Sequence, residues 1–256
     1  MHVRRLSLEQ FRNYTRQDVE LGTGLHVFEG RNAQGKTALL EAIYLGATAR
    51  SFRTSKERDL IHWDQVQARI DLLLQRDSGK QRQLSMRWTQ DQATCKREIW
   101  LQENPIRKLS EFLSELPLAL FTPDDLELVQ GGPQERRGYV DLLLCKLYPV
   151  YLETLGRYQK ALRQKSALLK MQKNPDRGEL ESWDQLMTRF GTFLTQERAT
   201  LCQRLEPLLR KTYQDLSGEK QDLQMNYQSS GRQDTTEYWE VLQQRQGEEL
   251  RTRSCL

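Results

Sequence analysis

No stretch of the 256 residues approaches the roughly 20 consecutive apolar positions that a membrane-spanning helix needs. The N-terminus, Met1-His2-Val3-Arg4-Arg5, leads into a charged, alternating segment and has no apolar core of the kind a secretory signal carries. These two absences predict a cytoplasmic protein with no membrane partner. Cysteine is scarce as well. Cys95, Cys145, Cys202 and Cys255 lie far apart, form no C-x-x-C pair and have no histidine at ligand spacing, while His2, His26 and His62 form no cluster. The pattern argues against a disulfide framework and a zinc site, and the thiols are expected to be reduced and structural. Hydrophobic residues make up only 37% of the chain and charged residues 29%. That balance favours long, solvated helices beside a compact core over one dense globule. The net charge of +4 and pI near 8.8 permit a nucleic-acid partner without requiring one.

What the chain does have is Gly30-Arg31-Asn32-Ala33-Gln34-Gly35-Lys36-Thr37, which fits the phosphate-loop spacing G-x-x-x-x-G-K-[ST]. Leu25-His26-Val27-Phe28 precedes it as a short apolar run and is predicted to be a buried strand. Leu39, Ala42, Ile43 and Gly46 follow at helical spacing. In the order strand, loop, helix, backbone N–H groups and the helix N-terminus converge on an anion, as nucleotide phosphates require. Gly30 and Gly35 supply backbone freedom, Lys36 reaches the β- and γ-phosphates, and Thr37 offers its hydroxyl to Mg²⁺. All eight residues are expected to line an ATP site.

Elsewhere, residues 3 to 11 and 17 to 21 read as strands, and Ser51-Phe52-Arg53-Thr54-Ser55 as a mobile basic connector. Val66 to Leu74, Gln83 to Trp88 and Lys96 to Leu101 read as further strands, antiparallel because their connections are short. Pro133 marks a helix start. A second helix carries Tyr151, Leu155, Tyr158 and Leu162. A third, after the break at Asn174-Pro175-Asp176-Arg177-Gly178, carries Leu186, Phe190, Phe193 and Leu194, then Leu201, Leu205 and Leu208. These two helices form an antiparallel hairpin suited to an arm. Asp222 to Tyr227 is predicted as a strand and Glu237 to about Gln244 as a helix.

Several stretches together resemble the RecF family, bacterial recombination mediators related to the SMC and ABC ATPases. They are Leu6-Ser7-Leu8-Glu9-Gln10-Phe11-Arg12-Asn13-Tyr14, the loop with Asn32-Ala33-Gln34, Ser51-Phe52-Arg53-Thr54, and Phe121-Thr122-Pro123-Asp124-Asp125-Leu126 followed by Arg136-Arg137 and Asp141. Trp183-Asp184-Gln185-Leu186 and Leu216-Ser217-Gly218 continue the match in order. The resemblance implies an α/β fold: an ABC-ATPase-like head with a mixed sheet and P-loop helix, plus a helical arm. The boundaries expected are 1–120 for the head, 121–215 for the arm and 216–256 for an incomplete return toward the head. It also implies ATP-dependent homodimerisation on DNA at junctions or gaps, and a role with RecO and RecR in loading recombinase during the SOS response.

An ABC-type head also needs a signature motif and an acidic pair after an apolar strand. Leu216-Ser217-Gly218-Glu219-Lys220 loses the second glycine and the glutamine of LSGGQ, and Gln130-Gly131-Gly132-Pro133-Gln134 places proline after its glycines. Leu118-Ala119-Leu120-Phe121 is separated from Asp124-Asp125 by Thr122-Pro123, which reads as a turn into a helix. The chain is therefore expected to end at Leu256 before these motifs, as a fragment or an altered gene product, and to hydrolyse ATP poorly alone. Arg4-Arg5, Arg50 with Arg53, Lys56 with Arg58, and Arg136-Arg137 are the candidate DNA contacts, and Arg12 and Arg53 are candidates for the nucleotide. A P-loop kinase or GTPase is the rival class, weakened by the absence of N-K-x-D. A non-catalytic interaction module is the third.

Overall fold

A computed structural model describes residues 1–113, 115–171, 175–218, 223–229 and 234–255, which divide into two compact units, 1–123 and 124–256. In the first unit, β1 (His2–Phe11), β2 (Tyr14–Glu20), β3 (Gln67–Gln75), β4 (Gln81–Gln90), β5 (Cys95–Leu101) and the two-residue β6 (Asn104–Pro105) form one sheet. Its order is β2-β1-β3-β4-β5-β6, with every pairing antiparallel. Alternation in the sequence dictates its two faces. Leu6 and Leu8 of β1, Ile70, Leu72 and Leu74 of β3, and Leu84, Met86 and Trp88 of β4 are buried on one side, in register as Leu8↔Ile70↔Met86 and Leu6↔Leu72↔Leu84. The other side carries polar residues, including Arg5 and Ser7 on Asp18 and Arg69 and Ser85 on Asp71.

Helix α1 (Lys36–Thr48) covers the apolar face with Ala38, Leu39, Ala42 and Leu45. Gly46 lets it approach, since a Cβ there would stand 1.9 Å from Leu72 Cδ1. A short α2 (Leu109–Leu113) completes this unit.

Two expectations fail here. Leu25 to Phe28 forms no strand, and Leu25 and Val27 are 91% and 75% exposed. An apolar run becomes a strand only when a neighbour pairs with it; β1 is already paired on both sides by β2 and β3, and among the described residues the outer edge of β2 takes no partner. The Ser51–Ser55 connector is anchored rather than loose, because Ser51 Oγ donates to buried Glu41 and Phe52 packs edge-on against Tyr44.

The second unit contains α3 (Glu127–Gln130), α4 (Pro133–Leu147), α5 (Pro149–Met171), α6 (Arg177–Ser217) and α7 (Thr235–Thr252). A 3₁₀ turn at Pro123–Leu126 leads into α3, as the Thr122-Pro123 break predicts. Helix α6 begins where Asp176 caps the Gly178 N–H and continues through Pro207 to Gly218, at φ +66. Its core positions are Leu180, Met187, Leu194 and Leu201, whereas Leu186 and Leu208 turn outward. Residues 216–256 supply α7, which packs Tyr238 and Leu242 on Ala161 of α5 and Met187 of α6. The strand predicted for Asp222 to Tyr227 is absent over 223–229, and Asp222 lies outside the described residues. The second unit, to which the segment belongs, holds no strand among its described residues for it to pair with.

Polar clamps hold these helices. Arg198 of α6 donates two hydrogen bonds to Asp141 of α4, which also accepts from Tyr151 of α5. Lys165 of α5 bonds Asp184 of α6 and Glu249 of α7, with all three side chains fully buried.

Candidate functional site

The loop Gly30–Gly35 runs into the N-terminus of α1 as turns and bends. Its glycines take conformations closed to other residues, with φ +144 at Gly30 and +98 at Gly35, and Ala33 sits at +64. Lys36 Nζ donates to the carbonyls of both Gly30 and Arg31 at 2.7 Å, drawing the loop round its ammonium. The Tyr14 hydroxyl donates to the Gln34 carbonyl, and burial pushes its pKa above the ordinary tyrosine value. Thr37, in the first turn, is exposed, and that turn has no acidic residue to cancel the positive end of the helix dipole.

Gly35→Ala should destabilise the first unit by about 1–3 kcal/mol, mainly through backbone strain at φ +98. The added methyl would also stand 2.7 Å from the Tyr14 ring, but that ring end can swing aside. Combining it with Tyr14→Ala should therefore restore little of the loss in urea titrations.

A cleft of about 590 Å³ opens over the loop, lined by the motif residues 32–37, with Gly30 and Arg31 off its wall, and by Arg12 and Arg53 from outside the motif. Among the described residues Asp59 is the one acid on its wall, and Trp63, on the same wall, is 85% exposed. Arg12 and Arg53 thus reach the phosphate-loop cleft, but their guanidinium groups are already engaged. Glu41, fully buried on α1, accepts from Arg12 Nε at 2.9 Å, Arg12 Nη2 at 2.5 Å, Arg53 Nη1 at 3.2 Å and Ser51 Oγ at 2.5 Å. Arg12 also donates to the Asp59 carbonyl, and its own N–H bonds Leu60 O. Two arginines against one carboxylate leave a net positive charge beside the loop. Glu41, His62 and Trp63 stand at or beside this cleft and are not among the residues expected there. A signal for Glu41 exists, since it sits at helical spacing between buried Ala38 and Leu45.

Several candidate DNA contacts are also engaged within the chain. Arg5 pairs with Asp18, Arg58 donates to the Asp91 and Gln92 carbonyls, and Arg136 holds the Leu128 and Val129 carbonyls of α3. All four cysteines are free thiols. No helix among the described residues is long and apolar enough to cross a membrane.

A family model described as an AAA domain matches residues 5–249. The chain belongs to the AAA domain family. The resemblance to RecF is borne out within it. The chain is 36% identical over 230 residues to the DNA replication and repair protein RecF of Streptococcus suis strain 05ZYH33, covering 90% of this chain and 62% of that one. It is 37% identical over 231 residues to RecF of Cyanothece sp. strain PCC 7425, covering 89% and 60%. A solved structure of the recombination mediator protein RecF with ATP in the RecFOR pathway matches with a TM-score of 0.90 at 26% identity, over 99% of this chain and 69% of that one. The chain thus spans about three fifths of the curated relatives' length. The α/β class with a helical second unit holds, and every strand pairing in it is antiparallel.

Proposed function

We propose that this AAA-family chain is an ATP-binding DNA replication and repair protein that acts on DNA gaps or junctions, with partners equivalent to RecO and RecR, in the cytoplasm. The observation that carries the nucleotide part is the Lys36 ammonium gathered onto the loop carbonyls at the unopposed N-terminus of α1, with Arg12 and Arg53 on the same cleft. There the loop N–H groups and Lys36 would take the β- and γ-phosphates, and Gly30 to Gln34 would wrap them. Among the described residues, no cluster of three or more His, Cys, Asp or Glu is placed to hold a metal unaided. Mg²⁺ would accordingly be shared between Thr37 and phosphate oxygens, where it would neutralise their charge. Similarity to RecF supports the DNA partner and an ATP-dependent homodimer.

With Asp59 the only acid on the cleft wall among the described residues, and its Oδ2 accepting from Thr54, the chain alone binds ATP without efficient turnover. The test is ATP and GTP binding with and without gapped DNA, followed by measurement of dimerisation. Lys36→Ala should raise the Kd for ATP about 10- to 150-fold, the value of a charged hydrogen-bonding partner. GTP preference, ATP binding indifferent to DNA, or clear turnover abolished by Lys36→Ala would each count against this reading.

A further inference from the structure

Helix α5 faces the core with Tyr151, Leu155, Ala161, Lys165, Leu168 and Leu169. Its opposite side exposes Arg157, Lys160, Arg163 and Lys170. At 100° per residue these four fall within one side of the helix, and from Arg157 to Lys170 they span about 20 Å. No acid occurs between Thr154 and Met171, and the nearest on the same side is Glu153, one turn before Arg157. None of the four cations makes a hydrogen bond or ion pair among the described residues. The other long helices of the unit differ, with Glu179, Glu181, Arg177 and Arg189 mixed on α6 and Glu237, Glu240, Arg245 and Glu248 mixed on α7. Like charges at helical spacing repel one another, so folding gains nothing from the row. Gly156 lies on the same side, with no atom within 4 Å of where its Cβ would stand, so packing within the chain does not require glycine there.

We infer that this side of α5 is a docking surface for the phosphate backbone of double-stranded DNA. A duplex presents about one negative charge per 1.7 Å of axis, so a band of four unpaired cations about 20 Å long on one side of a helix meets phosphates without needing base contacts. Gly156 gives the backbone its closest approach. The inference rests on the proposed DNA partner and adds a sequence-independent site in the helical unit, made of none of the residues of the nucleotide cleft.

The experiment measures duplex binding by the full chain across a salt series, for three proteins. These are the unaltered chain, the triple variant Arg157→Gln, Lys160→Gln and Arg163→Gln, and a control triple, Arg177→Gln, Arg189→Gln and Arg245→Gln, with the same loss of charge. The α5 triple should flatten the slope of log K against log salt by about 0.9 for each cation removed, and the control should leave it unchanged. Lys160→Gln alone, at an exposed position, should give about a third of that change, so the outcome does not depend on the triple folding. An unchanged slope in the α5 variants while the unaltered chain binds DNA overturns the site but not the partner. Equal flattening in both triples shows a net-charge effect and also overturns it. Competition by polyglutamate as strong as by DNA at equal charge shows a general anion surface, which overturns the site in the same way. No duplex binding by the unaltered chain removes both the site and the DNA reading.

Discussion

Lys165→Met is expected to destabilise the helical unit by about 3–5 kcal/mol, the cost of leaving a buried charge without its partner. The Lys165 ammonium stands 2.6 Å from Asp184 Oδ1 and 2.5 Å from Glu249 Oε2, with no solvent exposure on any of the three side chains. Methionine fills much the same volume, so the loss comes from two carboxylates stranded in the core and not from a cavity. The three groups also join α5, α6 and α7, so α7 should detach first. Replacing all three by Lys165→Met, Asp184→Leu and Glu249→Leu should recover most of the loss, because apolar groups need no partner there.

Burial lifts the Asp184 carboxyl above its ordinary value of 3.8, and the Lys165 hydrogen bond offsets this only in part. Burial alone would depress Lys165, but the hydrogen bonds it donates to Asp184 and Glu249 outweigh it and hold the ammonium above its ordinary 10.5. A carboxyl raised on folding contributes stability that is complete below 3.8 and lost as pH rises through the folded value. A raised lysine contributes fully below 10.5 and loses its contribution as pH rises through its own folded value. The stability of the unaltered chain should therefore fall at strongly alkaline pH, and Lys165→Met should lack that limb. The defect of the variant should also shrink toward acid pH, where the stranded Asp184 carboxylate, already raised by burial, takes up a proton. Urea midpoints at acidic, neutral and alkaline pH would show both effects. A loss under about 1 kcal/mol at neutral pH, the range of an exposed pair, would overturn the account.

The contrast between Lys165 and the phosphate loop shows what a sequence reveals of such a fold. Gly30 to Thr37 is legible because its chemistry is local: a glycine turn, a lysine and a hydroxyl at fixed spacing beside a helix start. The alternation of β3 and β4 and the proline at the start of α4 are legible for the same reason. Lys165, Asp184 and Glu249 look like ordinary surface residues of amphipathic helices, and only tertiary packing turns them inward together. Leu25 to Phe28 shows the converse failure. Its apolar character is local, but a strand also needs a partner that pairs with it, and among the described residues none does, the outer edge of β2 included. The apolar pattern of α6 points to Leu186 where the core takes Met187, because leucines on both sides of the true stripe blur the helical period. The placement of Arg12 and Arg53 beside the loop is within reach of the sequence, but the carboxylate that holds them is not.

That carboxylate carries the second large effect. Glu41→Gln should destabilise the first unit by about 3 kcal/mol, the low end for breaking a buried ion pair, because Arg53 can turn its half-exposed guanidinium into water. Arg12 has no such escape. Its side chain is largely buried, and its other donor is fixed on the Asp59 carbonyl. The order of the reciprocal variants follows: Arg12→Gln should cost more than Arg53→Gln, since Arg12 supplies two bonds to Glu41 at 2.9 and 2.5 Å and Arg53 supplies one at 3.2 Å. Glu41→Gln should also free the Ser51–Thr54 segment, whose Ser51 hydroxyl accepts from the Arg53 and Thr54 N–H groups while donating to Glu41. Trypsin should then cut faster after Arg50 and Arg53. A variant as stable as the parent and equally resistant there would show that the two arginines do not depend on Glu41. Because Arg12 and Arg53 line the same cleft as Lys36 and Thr37, the carboxylate that stabilises this unit also sets where two further cations stand beside the phosphate loop.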